Sequence, residues 1–289
     1  MPSGRSSVPR RSTAGTGTPT ADHDGGYCAP GQAVLTSEYR RGEYVDRDEE
    51  AYMQRQYTVQ VSSVQEMVYR TLRDKIVSME LKPGTVISTQ EIADSMSVSR
   101  TPVREAFIRL QREDLLDVTP QRSTVVSRIN MSRVHQERFI REALETEAVQ
   151  KFVEAATPEL LARMRSNIAK QYAAIAERRY IDYLELDNAF HQAAFTETRE
   201  ELARSIVQQM NGHYDRIRLI SAWEGQIVST AMREHEQYLD YIERRDAARA
   251  EALLRTHLQA LCAQEEILLT NWSEYFSEAS IDALKRERA

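Results

Sequence analysis

The sequence predicts a mainly α fold, in which an N-terminal winged helix-turn-helix precedes an all-α antiparallel helical bundle. Three observations predict it: two short helix-like segments around a tight turn, an alternating apolar and polar stretch behind them, and a C-terminal half with very little proline or glycine. A chain of 289 residues accommodates about two domains. The predicted division is a disordered arm over residues 1–58, the winged helix-turn-helix over 59–129, the all-helical domain over 130–276 and a tail over 277–289.

The composition is that of a soluble globular protein, with 41% hydrophobic and 28% charged residues. No apolar run approaches the length of a membrane span, and the N-terminus lacks the apolar segment of a secretory signal. The two cysteines, Cys28 and Cys262, lie far apart in the sequence. These features predict a cytoplasmic protein without a membrane partner or a disulfide framework.

The net charge of −6 argues against indiscriminate binding of nucleic acid, but the charge is divided unevenly along the chain. Acidic residues concentrate in the C-terminal half. A specific nucleic-acid contact needs only a local basic face. The predicted winged helix-turn-helix provides one with Arg70, Arg73, Lys75, Lys82, Arg100, Arg104, Arg109, Arg112, Arg122 and Arg128.

The first 55 or so residues are rich in Ser, Thr, Gly, Pro and charge. Such a segment cannot bury enough apolar surface to order itself, which predicts the disordered arm. Arg5, Arg10 and Arg11 could add weak attraction to phosphate groups. A solvated tail without a role is the alternative.

The helix-turn-helix is predicted from the order of its parts. Apolar residues at helical spacing between Val64 and Leu81 indicate a first helix, which ends at the Pro83-Gly84 turn. A second short helix is predicted over residues 90–96, and a turn near residues 97–98 leads into a third. Val103, Ala106 and later apolar residues of the third helix recur at helical spacing, so one of its sides can be buried.

The third helix carries the candidate DNA contacts. Its N-terminal end, which enters the major groove in helix-turn-helix proteins, holds Ser99, Arg100, Thr101 and Arg104. An arginine guanidinium pairs bidentately with guanine edges, and hydroxyl groups at a helix start donate to phosphate oxygens. These residues are therefore predicted to bind double-stranded DNA. The alternative is an amphipathic helical domain with incidental arginines.

A β-hairpin is predicted behind the third helix. Residues 115–127 alternate between apolar and polar side chains around a Pro-Gln-Arg-Ser turn at 120–123. A hairpin in this place completes a winged helix. Arg122, at the tip of the wing, is the fifth candidate DNA contact.

The segment from about residue 131 to 276 predicts an all-helical domain, because its apolar residues recur at helical spacing and few breaks interrupt them. Antiparallel helices of such lengths can bury a sizeable common core. The predicted helices cover residues 131–154, 158–177, 180–196, 200–221, 226–243 and 246–270.

Four side chains of this domain form a candidate metal site. Asp187 and His191 are four residues apart on one helix, His235 lies on a later helix and His257 on the last. An Asp/His pair at this spacing presents an oxygen and a nitrogen to one point, where histidines of two other helices can join them. Three imidazoles and one carboxylate suit a divalent ion, zinc first, with nickel and manganese as alternatives. A metal-free pocket of packed histidines is the competing interpretation.

Residues from about 64 to 126 resemble the N-terminal domain of the GntR family of bacterial transcription regulators. The resemblance rests on LKPG at 81–84, EIA at 91–93 and VSRTPVREA at 98–106. Asp114 and Ser123 depart from it, since the family usually has glycine at both places. Glycine at the wing tip lets the backbone approach the minor groove, so a serine there makes Arg122 the expected contact.

The helical domain resembles the FCD-type effector domain of the FadR subgroup of that family. That domain commonly carries an Asp-x-x-x-His pair and two later histidines, which correspond to the four candidate metal ligands. The spacing of Arg141 and Glu145 is also similar. The resemblance implies a metal ion that anchors a small carboxylate or hydroxy acid as the effector.

Basic side chains could receive a second carboxylate of such an effector, because arginine binds carboxylates bidentately. Arg141 and Arg218 are the candidate effector-binding arginines, and Arg216 could take the same role. His213 is a candidate for lining the pocket or for a fifth metal ligand. A solvent-facing side chain is the alternative for each of them.

Together these expectations describe a regulator that binds a palindromic operator as a homodimer and responds to a metabolite. The resembling family favours repression that the ligand relieves, with a hinge near residues 127–133 as the switching element. The sequence has no GxSxG, HExxH, Walker or GxGxxG pattern, so an enzyme is not expected. The alternatives are a metal sensor, in which the ion itself is the signal, and a metal-dependent hydrolase tethered to DNA.

Overall fold

The computed structural model describes residues 64–119 and 123–287. It confirms the predicted fold class. In the N-terminal domain, helix α1 is described over residues 64–77, and the other elements are β1 (Val86–Ile87), α2 (Thr89–Met96), α3 (Arg100–Arg112), β2 (Leu116–Thr119) and β3 (Ser123–Val126). The predicted arm at residues 1–58 and the wing contact Arg122 lie outside the described residues.

Local interactions fix the ends of α2. Ser88 caps its start, since the Ser88 hydroxyl accepts from the Glu91 amide at 3.1 Å and the Glu91 carboxylate accepts from the Ser88 amide at 3.1 Å. At the other end Ser97 adopts a left-handed conformation with φ of 54°. This reversal turns the chain into α3 and forms the predicted helix-turn-helix.

The three strands form an antiparallel sheet in the order β1-β3-β2, with Leu116 opposite Val126. Its inner face covers the small core that α1, α2 and α3 build with Leu72, Ala106 and Leu110. Between α3 and β2, Asp114 adopts a φ of 58°. This left-handed conformation favours glycine, and aspartate is among the residues that tolerate it best, which explains why Asp114 can stand at that position.

The C-terminal domain is helical throughout, apart from its connections. Its helices are α4 (Met131–Ala155), α5 (Pro158–Ala176), α6 (Tyr180–Thr198), α7 (Glu201–Gln209), α8 (Gly212–Trp223), α9 (Gly225–Glu243), α10 (Ala247–Ala260), α11 (Glu265–Asn271) and α12 (Glu278–Glu287). Short 3₁₀ turns at Cys262–Gln264 and Ser273–Tyr275 flank α11. The main core lies between α4, α5, α6, α9 and α10.

Two predicted helices are broken in the structure. The helix expected over residues 200–221 ends at Gln209, and α8 starts afresh at Gly212. The helix expected over 246–270 ends at Ala260 and resumes as α11. The segment treated as a tail over 277–289 contains α12, which packs against α11.

Helix α8 lies inside the domain, and every residue from Gly212 to Ala222 is buried. It carries charged side chains as well as apolar ones, so it has no solvent-facing side of the kind that sequence periodicity detects. Buried charges require partners, and those of α8 define the sites described below.

Within residues 64–119 and 123–287, no helix combines the length and the apolar character needed to cross a bilayer.

Candidate nucleic-acid interface and metal centre

The N-terminal end of α3 is open to solvent. Ser99, Arg100, Thr101 and Arg104 are all exposed, while Pro102 and Val103 between them are buried against the small core. The Ser99 hydroxyl makes no capping bond to the helix. Among the described residues, neither Arg100 nor Arg104 has an ion-pair partner, so both guanidinium groups are available to a ligand.

Other arginines of the same domain are engaged within the protein. Arg109 contacts Glu66 at 2.7 Å and lies over the ring of Tyr69, 3.5 Å from its centroid. Arg73 pairs with Glu113 at 3.2 Å. Two unpaired guanidinium groups, those of Arg100 and Arg104, therefore lie at the end of α3 that reads the major groove in helix-turn-helix proteins.

Three histidines meet in the core of the helical domain. His191 on α6, His235 on α9 and His257 on α10 each offer one ring nitrogen, and these atoms all lie within 4.8 Å of one another. The Nε2 atoms of His235 and His257 are 3.2 Å apart. Ligands bound to one zinc ion at about 2.0–2.1 Å are separated by similar distances. The three predicted histidines are thus brought together.

Asp187, the fourth predicted ligand, lies beside them. Its Oδ1 is 3.4 Å from His235 Nε2 and its Oδ2 is 3.9 Å from His191 Nε2. Arg218 holds the same carboxylate through a close ion pair and also contacts Asp215 at 2.6 Å. Asp187 can therefore complete the ligand set, with Arg218 as its charge partner.

The outward-facing nitrogens of the three histidines fix their tautomers. The Nδ1 atom of His191 lies 2.7 Å from Glu145 Oε2, that of His235 lies 3.2 Å from Gln171 Oε1, and that of His257 lies 2.7 Å from Glu234 Oε2. All three partners are acceptors, so each Nδ1 donates to its partner and each Nε2 faces the point that the three rings share.

The Nε2 atoms of His235 and His257, 3.2 Å apart, are close enough for one divalent ion to bind both. Burial lowers the pKa of His191 to about 4 and that of His235 well below its usual value, so neither ring gains a proton near neutral pH. The donor set, with an acceptor behind each ring, therefore fits a divalent metal ion.

Glu145, whose carboxylate contacts His191 Nδ1, allows a direct test of whether the histidine cluster binds a metal ion. Changing Glu145 to Gln is expected to weaken metal binding about 10–100-fold, because a neutral amide orients and polarises the ring less well than a carboxylate. Competition with a coloured chelator measures the affinity. The control is Glu142→Gln, on the same helix, since Glu142 pairs with Arg255 at 2.9 Å rather than with a histidine. Equal affinities of the two variants would contradict the assignment.

A small cavity opens beside the histidines and is bounded by α4, α6, α8, α9 and α10. Its walls include Arg141, Tyr183, Asp187, His191, Tyr214, Arg218, Ser221, Val228 and His257. Its volume of about 50 Å³ is enough for a few water molecules, at about 10–15 Å³ each. The cavity can therefore hold a small polar molecule next to the point where the three histidines meet.

Arg141 is the outstanding basic group of this cavity. Its Nε pairs closely with Glu145, but its buried Nη1 has no hydrogen-bond partner among the described residues. An unpaired buried donor is costly, and a carboxylate oxygen in the cavity would satisfy it. Arg218 also lines the cavity, although Asp187 and Asp215 already occupy its guanidinium.

His213 does not line the cavity, which corrects the expected placement. It lies at the junction of the two domains, where its Nε2 donates to the Asp114 carbonyl at 2.9 Å. Its Nδ1 accepts from the Asn130 amide at 3.2 Å and from Arg216 at 2.9 Å. Both ring nitrogens are used, so His213 is neither a fifth metal ligand nor a surface histidine. The neighbouring Arg216 also faces the junction, donating to the Ser127 carbonyl at 2.7 Å.

Glu137 on α4 completes the junction from the bundle side. Its Oε2 accepts from the amides of His213 and Tyr214 at 2.9 and 2.8 Å, which caps the start of α8. Arg133 contacts its other oxygen at 3.0 Å. Burial nevertheless dominates and raises the pKa of Glu137 to about 7.

This shift predicts a pH-dependent stability. Between the ordinary glutamate pKa of 4.5 and about 7 the folded protein binds more protons at Glu137 than the unfolded chain, so stability falls as pH rises through that window. We expect the free energy of unfolding of the wild type, relative to Glu137→Gln, to fall by about 1–3 kcal/mol between pH 5 and 7. Urea titrations across that range measure it. If the difference in free energy of unfolding between the wild type and Glu137→Gln did not change with pH, the raised pKa of Glu137 would be contradicted.

Sequence reasoning named the four candidate metal ligands but not the acceptors behind the three histidines. Glu145 entered only through its spacing from Arg141, and Gln171 on α5 carries no sequence signal of its function. Glu234 adjoins His235 in sequence yet contacts His257, a pairing that only the three-dimensional packing reveals.

Comparison with known proteins identifies two family domains in the chain. Residues 64–126 match the family described as bacterial regulatory proteins, gntR family, and residues 138–260 match the FCD domain. The HTH-type transcriptional repressor RspR of Escherichia coli K12 is 31% identical over 215 residues, which cover 74% of this chain and 94% of that protein. A regulator from Streptomyces ambofaciens is 32% identical over 213 residues, covering 73% and 88% of the two chains.

Solved structures share the fold. Escherichia coli McbR/YncC superposes with a TM-score of 0.60 at 21% identity, covering 72% of this chain and 98% of that one. A putative GntR transcriptional regulator from Rhodococcus sp. RHA1 gives a TM-score of 0.60 at 22% identity, covering 73% and 99%.

A winged helix with free arginines on its reading helix, joined to a helical domain, defines a DNA-binding transcription regulator and not an enzyme. The chain belongs to the GntR family, in the FadR subgroup that carries an FCD domain.

Proposed function

We propose that this regulator is a repressor that binds a palindromic operator as a homodimer and responds to a small carboxylate held at a metal centre in its helical domain. One observation carries the proposal. The Nε2 atoms of His235 and His257 lie 3.2 Å apart at a cavity that His257 and Arg141 line, and the buried Nη1 of Arg141 has no partner among the described residues, so a bound cation and anion would satisfy both groups. Because DNA is its target, the protein would act in the cytoplasm.

The proposed metal ligands are Asp187, His191, His235 and His257. Three nitrogens and one oxygen suit zinc first, with nickel or manganese as alternatives, since affinity order alone does not select among them in a cell. When bound, such an ion supplies a Lewis-acidic contact for a carboxylate oxygen. The protein contributes the buried surroundings and the acceptors that keep each histidine in its tautomer.

Arg141 is the first candidate for binding the effector. Its free Nη1 can donate to a carboxylate oxygen without breaking an existing bond. Arg218, the second candidate, would have to share its guanidinium between the effector and Asp187. The small volume of the cavity favours a compact acid over a long-chain one.

The DNA-binding part of the proposal places Ser99, Arg100, Thr101 and Arg104 in the major groove, with Arg122 at the wing. One winged helix reads a short half-site, so two copies related by a two-fold axis would read a pseudo-palindrome with higher specificity. Repression is suggested by the name of the Escherichia coli relative, which is called a repressor.

The first experiment is calorimetric titration with a panel of small mono- and dicarboxylates, with metal content measured in each sample. The wild type, purified with metal, is compared with an Asp187→Ala, His191→Ala double variant. The control is His135→Ala, which alters an exposed histidine that pairs with Glu265 and does not line the cavity. We expect carboxylate binding in the wild type and the control, and loss of both metal and carboxylate in the double variant.

The second candidate function is a metal sensor, which the same ligand set would support. It predicts that metal alone changes DNA affinity and that no carboxylate adds to the change. Wild type that retains metal but ignores the whole panel would favour the sensor. Absence of metal from the wild type, even after incubation with zinc, nickel or manganese, would exclude both.

A further inference from the structure

The linker between the two domains is held by the end of the chain. Residues 127–130 join β3 to α4, and Ile129 forms a parallel bridge with Phe276. The Ile129 amide donates to the Tyr275 carbonyl at 2.8 Å, and the Ser277 amide donates to the Ile129 carbonyl at 2.9 Å. The segment over residues 272–280, here called the C-terminal strap, thus satisfies both backbone groups of Ile129.

Side chains reinforce this pairing. Ile129 and Phe276 are both fully buried, in a cluster that includes Val77 from the end of α1. Arg128 donates to the Glu274 carbonyl at 2.9 Å. The strap therefore packs against the linker and against the winged helix at once.

The strap also caps α4. The Met131 amide, which has no partner within its own helix, donates to Ser280 Oγ at 3.0 Å. At its other end, Trp272 donates to Glu224 at 3.0 Å and its ring lies 4.8 Å from that of Trp223. The strap thereby joins the linker to the C-terminal end of α8.

The strap lies outside the segment that matches the FCD domain, which covers residues 138–260. None of its residues lines the cavity or belongs to the three-histidine cluster, and Phe276 packs in one hydrophobic cluster with the cavity-lining Tyr214 and Leu261. The opposite side of the linker contacts the start of α8, through Arg216 and Ser127. The linker is consequently fixed on two sides.

We propose that the C-terminal strap is a conformational lock, which fixes the orientation of the winged helix on the bundle by pairing with Ile129. The domains can change their relative orientation only after residues 127–130 leave the strap. A turn of the winged helix would otherwise leave the buried amide and carbonyl of Ile129 without partners.

Proline substitution tests the lock with little change in side-chain volume. Ser277→Pro removes the amide that donates to Ile129, and the extended backbone of Phe276, with φ of −99° and ψ of 154°, is compatible with a following proline. Ser277→Ala is the matched control, because it also loses the hydroxyl but keeps the amide. Glu278→Pro is the second control, since proline is tolerated at the first position of a helix such as α12.

Two measurements on the full chain report the lock. The first is the rate of trypsin cleavage after Arg128, followed by mass spectrometry, because cleavage requires the linker backbone to leave the strap. The second is the distance between spin labels at Ile108 in the winged helix and Leu202 in the bundle, in a background without the native cysteines. Labelled protein is diluted with unlabelled protein so that distances between copies do not contribute.

We expect Ser277→Pro to be cleaved roughly tenfold faster than both controls and to show a broader distance distribution. Equal cleavage rates in all three variants would overturn the proposal. Faster cleavage with an unchanged distance distribution would overturn it too, because the strap would then hold the linker without setting the orientation. If Ser277→Pro does not fold, Phe276→Leu is compared with Leu284→Ala by the same two criteria.

Discussion

Changing Arg104 to Ala is expected to weaken binding to a specific DNA duplex roughly ten- to hundredfold, the range that loss of one bidentate base contact produces. Arg104 is exposed at the reading end of α3, and none of the described residues pairs with it. A duplex selected from a random pool by the unmodified protein serves as the probe. Fluorescence anisotropy at several salt concentrations gives the affinity and its salt dependence.

Arg112 provides the control, because it is exposed on the same helix but lies in the last turn. Arg112→Ala is expected to change affinity little. The salt dependence separates two roles for Arg104, since loss of a phosphate contact weakens all duplexes alike and reduces the slope by about one. Unchanged affinity in Arg104→Ala would remove this residue from the interface.

The second large effect is expected from the metal. At a free metal concentration about 100 times the dissociation constant, binding to the folded state alone adds about 2.7 kcal/mol of stability. For the helical domain, over residues 131–287, this added free energy of unfolding corresponds to a rise of roughly 5–10 °C in Tm. Metal-loaded protein should therefore lose several degrees of Tm when a chelator removes the ion.

A double variant of the ligands, His191→Ala with His235→Ala, should show no metal-dependent change in Tm. His135→Ala should respond like the wild type, because His135 pairs with Glu265 on the surface. The comparison is made between loaded and chelator-treated samples of each protein, so the direct cost of the substitutions cancels. A metal-dependent shift that survives in the double variant would place the ion elsewhere.

The parts of the fold that sequence predicted are those with strong local patterns. The capping box at Ser88 and Glu91 fixes where α2 starts, and the arginines around Pro102 lie on a helix with one clearly apolar side. The spacing of Asp187 and His191 likewise determines that both face the same point. Such features depend on neighbours within one turn of helix.

The parts that sequence could not predict depend on contacts between distant segments. The Asn211-Gly212 dipeptide is a turn signal within residues 200–221, but only the structure shows that α8 restarts there and lies against Leu115 of the winged helix. His213 shows the same limit, because sequence alone left it in the pocket, at the metal or on the surface, whereas its partners belong to the junction. The acceptors behind the three clustered histidines come from three different helices.

Gly212 has a consequence for recombining domains of this family. A β-carbon at this position would lie 2.8 Å from Leu115 Cδ2, and Leu115 is fully buried, so neither residue has room to give way. Residues 115 and 212 must therefore be kept or exchanged together, although they lie 97 positions apart in the sequence (212 minus 115). A chimera that grafts a relative's winged helix onto this bundle should remain rigid only if residue 115 is no larger than leucine and residue 212 stays glycine.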